Sequence, residues 1–289
     1  MNYFLKEFKE NKMITTTLFK TQFFESALRE MAIKFSPRFL SYTPKHRVHI
    51  ETGRYLLKTA TSTSELLEVF KLRHINFLQD DQESELSYDL DEYDHICDHL
   101  IIICKESQEI IGTYRLICSL YSDTFYSQGE FKLERFLKLD GVKLELGRAC
   151  IDMSHRNGNV IDLLWKGIAF YAEETGARYL FGCSSVSTIE PQMASNITNY
   201  LRNKNYLRDT FEISPTKKYQ IDYSGCISES AIEVRDYIPS LLMSYICAGA
   251  KVHGLPALDK EFECIDYFTI LDLDEVSSLF KKRYFKWLI

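Results

Sequence analysis

The 289-residue sequence predicts an α/β fold, and three observations carry that reading. Residues 100 to 104 and 110 to 118 are apolar runs on either side of Glu106-Ser107-Gln108, the pattern of an antiparallel hairpin. Residues 143 to 152 and 179 to 183 read as strands around a helix over 159 to 175, in which Val160, Leu163, Leu164, Ile168 and Tyr171 share one face. The composition is that of an ordinary globular chain: 45% hydrophobic and 26% charged residues with 12 Gly and 6 Pro supply a sizeable core and exclude collagen-like, low-complexity and disordered classes.

Over residues 13 to 35, Leu18, Phe19, Phe23, Phe24, Leu28, Met31, Ala32 and Phe35 recur at helical spacings with Lys20, Glu25, Arg29 and Glu30 between them. This amphipathic helix either packs on the main domain or lies against a membrane surface or a partner. Pro37 and Pro44 punctuate a linker, so residues 1–50 are expected to form an N-terminal helical extension and 51–289 one domain. A strand over 54 to 59 precedes Thr61-Ser62-Thr63-Ser64 and Glu65, which can cap a helix running to about residue 77. Residues 79 to 91 form a polar, acidic loop ahead of the hairpin. In the strand over 143 to 152, alternation puts Glu145, Gly147, Ala149 and Ile151 on one face and Leu144, Leu146, Arg148 and Cys150 on the other, unless a bulge at Gly147 shifts the phase. Gly176 stops the helix that follows.

The 35 Lys and Arg against 41 Asp and Glu give a net charge of -6, so no global field draws the chain to nucleic acid. Eight cysteines are spread without a CxxC pair, which reads as buried free thiols of a reducing compartment and gives no expectation of a metal site. Residues 1 to 12 mix acidic and basic side chains and lack the apolar core of a secretory signal. The longest apolar stretch, 238 to 250, is interrupted by Pro239, Ser240 and Ser244 and falls short of the about 20 residues that span a bilayer. A cytoplasmic protein is expected, with the inner face of the membrane within reach.

A strand, a turn of Arg, Asn and Gly, and then a helix together present free backbone amides at the positive end of the helix dipole. His155-Arg156-Asn157-Gly158-Asn159 is such a segment, and by itself it is either an anion-holding loop or a plain turn. Several blocks taken together are more specific. Tyr93-Asp94 with Asp98-His99-Leu100, Gly112-Thr113-Tyr114-Arg115-Leu116, Phe125-Tyr126-Ser127 with Glu130-Phe131, Glu145-Leu146-Gly147-Arg148, Leu164-Trp165-Lys166-Gly167 and Tyr179-Leu180-Phe181-Gly182-Cys183 resemble the ornithine N-acyltransferases, which make lyso-ornithine lipid. The resemblance continues through Ala248-Gly249-Ala250-Lys251-Val252, Gly254, Pro256-Ala257 and Asp266-Tyr267-Phe268, covering roughly residues 50 to 280. The charged positions of the first half are also similar to those of the acyl-homoserine lactone synthases.

The resemblance implies a GNAT-like acyl-CoA N-acyltransferase fold, a mixed, mostly antiparallel twisted sheet flanked by helices, with a helix over 238 to 248 and a strand over 267 to 271 in its C-terminal part. It implies that a long-chain acyl group, including 3-hydroxy chains, moves from a phosphopantetheine thioester to the amino group of ornithine or a similar amino acid. The expected co-substrate is acyl carrier protein (ACP) or acyl-CoA, with no tightly bound cofactor, and the expected partners are ACP, the small amino acid and a peripheral membrane contact.

Such a transfer needs a neutral amine, a donor for the developing oxyanion and an anion site for the pantetheine phosphate. For that anion site the resemblance points to Arg156, Asn157, Gly158, Asn159 and Val160. The Arg-x-Gly-x-Val spacing departs from the usual loop of Arg or Gln, two residues, Gly, one residue, then Gly or Ala, and suits the single phosphodiester of ACP better than a pyrophosphate. Ile151 belongs to the strand whose backbone amide polarises the thioester carbonyl in that superfamily. Glu145 is the candidate general base, or an ion-pair partner of Arg115 or Arg148, and the two roles are compatible.

Arg73, Asp91, Asp94, Arg115 and Arg148 match charged positions that suit an amino acid carrying both a carboxylate and an ammonium, with Asp94 and Arg115 expected nearest to it. The same five residues can equally form an internal salt-bridge network. His99 and Cys183 read as structural and Trp165 as core. His253 is followed by Asp259 with five residues between them, so the His-x4-Asp of glycerolipid O-acyltransferases is absent and a second acylation by this chain is not expected. The competing readings are an N-acyl amino acid or lactone signal synthase and a binding module that has kept the fold and lost the chemistry.

Overall fold

The computed structural model describes residues 30–77, 88–226 and 234–288. Its strands are β1 (His49–Glu51), β2 (Tyr55–Thr59), β3 (Asp98–Cys104), β4 (Ile110–Cys118), β5 (Phe131–Lys132), β6 (Val142–Ile151), β7 (Ala177–Val186), β8 (Leu207–Arg208), β9 (Ser214–Pro215), β10 (Lys251–His253), β11 (Ala257–Asp259) and β12 (Cys264–Asp272). Helices of at least two turns are α1 (Thr63–Phe77), α2 (Gly158–Thr175), α3 (Pro191–Asn203), α4 (Ser240–Ala248) and α5 (Ser278–Tyr284). Ten strands form one sheet ordered β1-β2-β3-β4-β6-β7-β12-β10-β8, with β11 bonded to β12, while β5 pairs with β9. Neighbours in the large sheet run antiparallel except β6 with β7 and β10 with β8. The sheet is therefore mixed and mostly antiparallel, flanked by helices.

Alternation along the strands builds the layers. Leu57, Leu100, Ile102, Leu144 and Leu146 bury against the apolar face of α2, through Leu163, Leu164 and Ile168. Ile101, one residue out of phase with its neighbours, packs instead with Leu66, Val69 and Phe70 of α1. The cap of α1 is reciprocal: the Glu65 amide donates to Ser62 Oγ at 3.3 Å, and the Glu65 carboxylate accepts from the Thr61 amide at 2.7 Å. At the other end of α2, Gly176 sits at φ 61°, a left-handed position that favours glycine over any residue with a Cβ.

Residues 13 to 29 of the expected amphipathic helix lie outside the described residues. Residues 30–34 are helical, and Ile33, Phe39 and Tyr42 bury against α1, whereas Met31, Phe35 and Leu40 are 56%, 63% and 61% exposed. The sheet begins at His49, because β1 pairs with β2.

Two features of β6 position the site. Thr113 of β4 faces Cys150 and Arg115 faces Gly147, so β6 carries one extra residue in this interval, and Arg148 takes φ 50°. This bulge corrects the strict alternation: Arg148 joins the face of Glu145 and Gly147, while Ala149 and Ile151 turn toward the core that holds Leu144 and Leu146. The second feature is divergence. Pairing of β6 with β7 ends at Glu145 and Phe181, and a Cβ on Gly182 would stand 2.3 Å from the Leu146 carbonyl oxygen, so only glycine fits at the point where the strands part.

Candidate active site

Beyond Glu145 and Phe181 the edge of β6 that faces β7 has no strand partner among the described residues, and two cavities meet there. The larger, about 570 Å³, is walled by Leu164, Trp165 and Ile168 of α2 together with Tyr114, Ala149 and Ile151. The smaller, about 340 Å³, is bordered by Arg115, Glu145 and Arg148 on the opposite face. Tyr114, Ala149 and Tyr245 contribute to both, so the two are adjoining rooms on either side of the gap. The larger has the size and apolar lining of a ligand pocket.

Ile151, Arg156, Asn157 and Gly158 line the larger cavity, as expected for donor contacts, but Asn159 and Val160 do not. Val160 is fully buried in the core, and Asn159 borders a separate surface hollow with Thr52 and Asp162. The amides of Asn159 and Val160 are already satisfied, donating to Asn157 Oδ1 at 3.1 and 3.2 Å. The loop is a capped helix start that lines the cavity with Arg156, Asn157 and Gly158, not an open nest of amides. Arg156 bridges the site mouth, donating to the Ile151 carbonyl at 3.1 Å and to Asn76 Oδ1 at 3.0 Å.

The five charged residues form a network with a sixth that the sequence reading did not single out, Asp89. Arg73 donates to Asp89 at 2.6 Å and to Asp94 at 2.7 and 3.2 Å. Arg115 donates to Asp91 at 2.6 Å and to Asp94 at 3.3 Å, and Arg148 lies 3.3 Å from Asp89 and 3.4 Å from Asp91. Three arginines against three aspartates leave the network neutral, as the burial of most of its members demands. The Arg73 and Arg115 guanidiniums outweigh burial and hold the Asp94 carboxyl well below the usual carboxylate range.

Asp94 and Arg73 are fully buried and border neither cavity, whereas Arg115 and Arg148 reach the smaller one. Arg148 is clamped between Tyr126 and Phe262, each ring centroid 4.7 Å from its guanidinium carbon.

Glu145 pairs with neither Arg115 nor Arg148. Its carboxylate accepts the amides of Tyr126 and Ser127, each at 2.8 Å, and the Ser127 hydroxyl. Burial pushes its pKa up against these bonds, which gives a proton acceptor stronger than a solvated carboxylate at the cavity wall. His99 is buried and its Nε2 lies 3.0 Å from the Asp94 carbonyl, with burial lowering it to about 4; it is neutral and structural. The Cys183 thiol, 3.4 Å from Glu130 Oε2, is pushed far above its ordinary value by burial and is no thiolate nucleophile. Trp165 is core, and it also walls the larger cavity, donating to Ser244 Oγ at 3.1 Å.

Several cavity residues escape the sequence reading. Tyr245 of α4 borders both cavities and a smaller void beside Leu180, and nothing in its local sequence marks it. Glu130, Asp259 and Asp266 bring carboxylate oxygens within 4.8 Å of one another at the smaller cavity. The signal for two of them is that Glu130 and Asp266 fall inside the blocks that carry the family resemblance.

Residues 72–166 match the family described as Acetyltransferase (GNAT) domain. The L-ornithine N(alpha)-acyltransferase of Rhizobium meliloti (strain 1021) is 27% identical over 208 residues, 68% of this chain and 70% of that protein. The protein of the same name from Brucella abortus (strain 2308) is 29% identical over 211 residues, 68% of this chain and 74% of the other. Among solved structures, the AHL synthase LasI superposes with a TM-score of 0.42 at 11% identity, over 83% of this chain and 96% of that one. The chain has a GNAT fold and is an acyltransferase. Among the described residues no helix is long and apolar enough to cross a membrane.

Proposed function

We propose that this enzyme transfers a long-chain acyl group, including 3-hydroxy chains, from the phosphopantetheine thioester of ACP to the amino group of ornithine or a closely similar amino acid. The observation that carries this reading is the pair of cavities meeting where β6 and β7 diverge, one apolar and one charged. In it the pantetheine arm enters past Arg156 and Gly158, the thioester reaches the unpaired edge of β6 near Ala149 and Ile151, and the amino acid occupies the charged room with Arg148 toward its carboxylate.

Holding both reactants across one gap turns a bimolecular attack into an effectively unimolecular one. The backbone amides of the open β6 edge are the donors for the oxyanion, and Glu145 is the group that takes the ammonium proton, directly or through water. Tyr245 stands beside both cavities with its phenol held protonated by burial, in place to give a proton to the leaving thiolate. Among the described residues Arg156 is the one charged residue on the wall of the larger cavity, which suits a carrier with a single phosphodiester.

The product keeps its alkyl chain, whose exposure to water costs about 0.8 kcal/mol per methylene, so delivery at the inner face of the membrane from a cytoplasmic enzyme is part of this reading. The test is incubation of the purified chain with acyl-ACP and ornithine, followed by mass spectrometry. Lyso-ornithine lipid is the expected product, and its absence with every basic amino acid overturns the assignment.

A further inference from the structure

We propose that Glu130, Asp259 and Asp266 form a subsite for the side-chain ammonium of the acceptor, so that the enzyme selects amino acids with a second cationic nitrogen. This rests on the reading of the smaller cavity as the acceptor room.

The three carboxylates come from separate elements: Glu130 from the segment before β5, Asp259 from β11 and Asp266 from β12. Their residues are 1%, 3% and 3% exposed, and all three border the cavity. Ser185 Oγ donates to Asp266 at 2.6 Å, and the amides of Glu261 and Phe262 donate to Asp259 at 2.8 and 3.1 Å. Glu130 Oε1, by contrast, is buried without a hydrogen-bond partner among the described residues.

The charge balance sets the cluster apart. The arginine and aspartate network nearby is neutral within itself, whereas the principal influences on Glu130 and Asp266 are burial, one another, Asp259 and neighbouring thiol and hydroxyl groups, with no cation among them. Lys218 is exposed and is engaged with the Tyr219 hydroxyl at 3.3 Å. Burying three carboxylates together is unfavourable unless they are protonated or meet a cation. Burial and the two aspartates raise Glu130 to about 9, the mark of a site that lacks its positive partner.

An alkylammonium fits that lack. It presents three donors on a flexible stem, matching carboxylate oxygens from three directions and the orphaned Glu130 oxygen in particular. With Arg148 toward the acceptor carboxylate, the cavity then reads both ends of a basic amino acid.

The experiment compares L-ornithine with L-norvaline, which has the same carbon skeleton without the terminal ammonium, as acceptors from acyl-ACP. The wild-type enzyme is expected to favour ornithine by about 100-fold or more in kcat/KM, since a site built for a polar group rejects the analogue that lacks it. Glu130→Gln and Asp266→Asn are each expected to cut that preference at least about tenfold, through a higher KM for ornithine with norvaline little changed. Calorimetry with ornithine alone, without donor, is expected to show binding that the substitutions abolish.

Equal use of both acceptors by the wild type, or a preference that survives both substitutions, overturns the subsite while leaving acyl transfer standing. Cluster-dependent ornithine binding without turnover overturns the transfer reading and leaves the subsite. Titration with Mg2+ and Mn2+ covers the remaining occupant: a divalent ion that binds at this cluster and excludes ornithine overturns the proposal. The wild-type comparison needs no variant, so a substitution that fails to fold does not remove the test.

Discussion

Arg156 donates two hydrogen bonds at the rim of the larger cavity, where a phosphodiester would compete for its guanidinium. Arg156→Ala is expected to weaken donor binding by about 1.5–3 kcal/mol, read as a rise in KM for acyl-ACP with kcat little changed. Glu145 differs in being fully engaged with the turn at Tyr126–Gln128. Glu145→Gln can accept on one side only, so the protein is expected to fold with a lowered Tm and to lose about 10²–10⁴-fold in kcat. Full activity in a folded variant overturns the base assignment and leaves Glu145 as the anchor of that turn.

Glu130 carries a pH signature of its own. Its folded pKa of about 9 lies above the ordinary carboxyl value of 4.5, so between these values the folded state binds the extra proton and stability falls as pH rises. Without acceptor, Glu130→Gln is therefore expected to be more stable than wild type at pH 8 by about 1–3 kcal/mol, and the difference should vanish near pH 4; denaturant melts at the two pH values measure it.

At the scale of elements, the bulge in β6 does the most. One extra residue at Arg148 brings a guanidinium onto the face of Glu145 and turns Ala149 and Ile151 toward α2, so a single strand serves both cavities. The N-terminal segment raises a different question, because Ile33, Phe39 and Tyr42 pack on the domain while Met31, Phe35 and Leu40 stand out from it. Such an exposed apolar edge suits contact with a lipid surface on which an acylated product is delivered. Sedimentation with anionic vesicles is expected to retain the wild-type chain and to release much of a variant with Phe35→Ser and Leu40→Ser, which keep the buried residues intact. Equal pelleting of the two folded proteins assigns binding elsewhere, and two supernatants remove the membrane contact.

For the whole molecule, the proposed choice of carrier rests on how the sheet opens. Divergence of β6 from β7 sets the gap, and the capped start of α2 leaves Arg156, Asn157 and Gly158 on the wall of the larger cavity, where the proposed reading puts the phosphate. On the proposed reading a donor with one phosphodiester has its charge met by Arg156, whereas the pyrophosphate and third phosphate of CoA meet no further cation among the described residues of that wall. With matched acyl chains, kcat/KM is expected to be at least about tenfold higher for acyl-ACP than for acyl-CoA; equal or better use of acyl-CoA reverses this prediction.

Local chemistry made much of this legible. The hairpin over β3 and β4, the cap of α1 and the stop at Gly176 were all readable, because periodicity, capping and left-handed turns depend on residues within a few positions of one another. The same holds for the Arg156 segment, whose place between a strand and a helix is written in consecutive residues. Contacts across the fold were not so written. Glu145 meets the Tyr126 and Ser127 amides, and Asp94 is consumed by Arg73 and Arg115, through pairings eighteen to twenty-one positions apart that sequence order leaves open. The bulge at Arg148 depends on register with β4, and the acidic trio exists only because β11 and β12 fold back beside the Glu130 segment. The sequence alone determined the hairpin, β6, β7, α1 and α2, and which chemistry is available. Only the tertiary structure decided which charges neutralise one another and which remain facing a cavity, because burial and distance, not residue identity, set the energy of a charge.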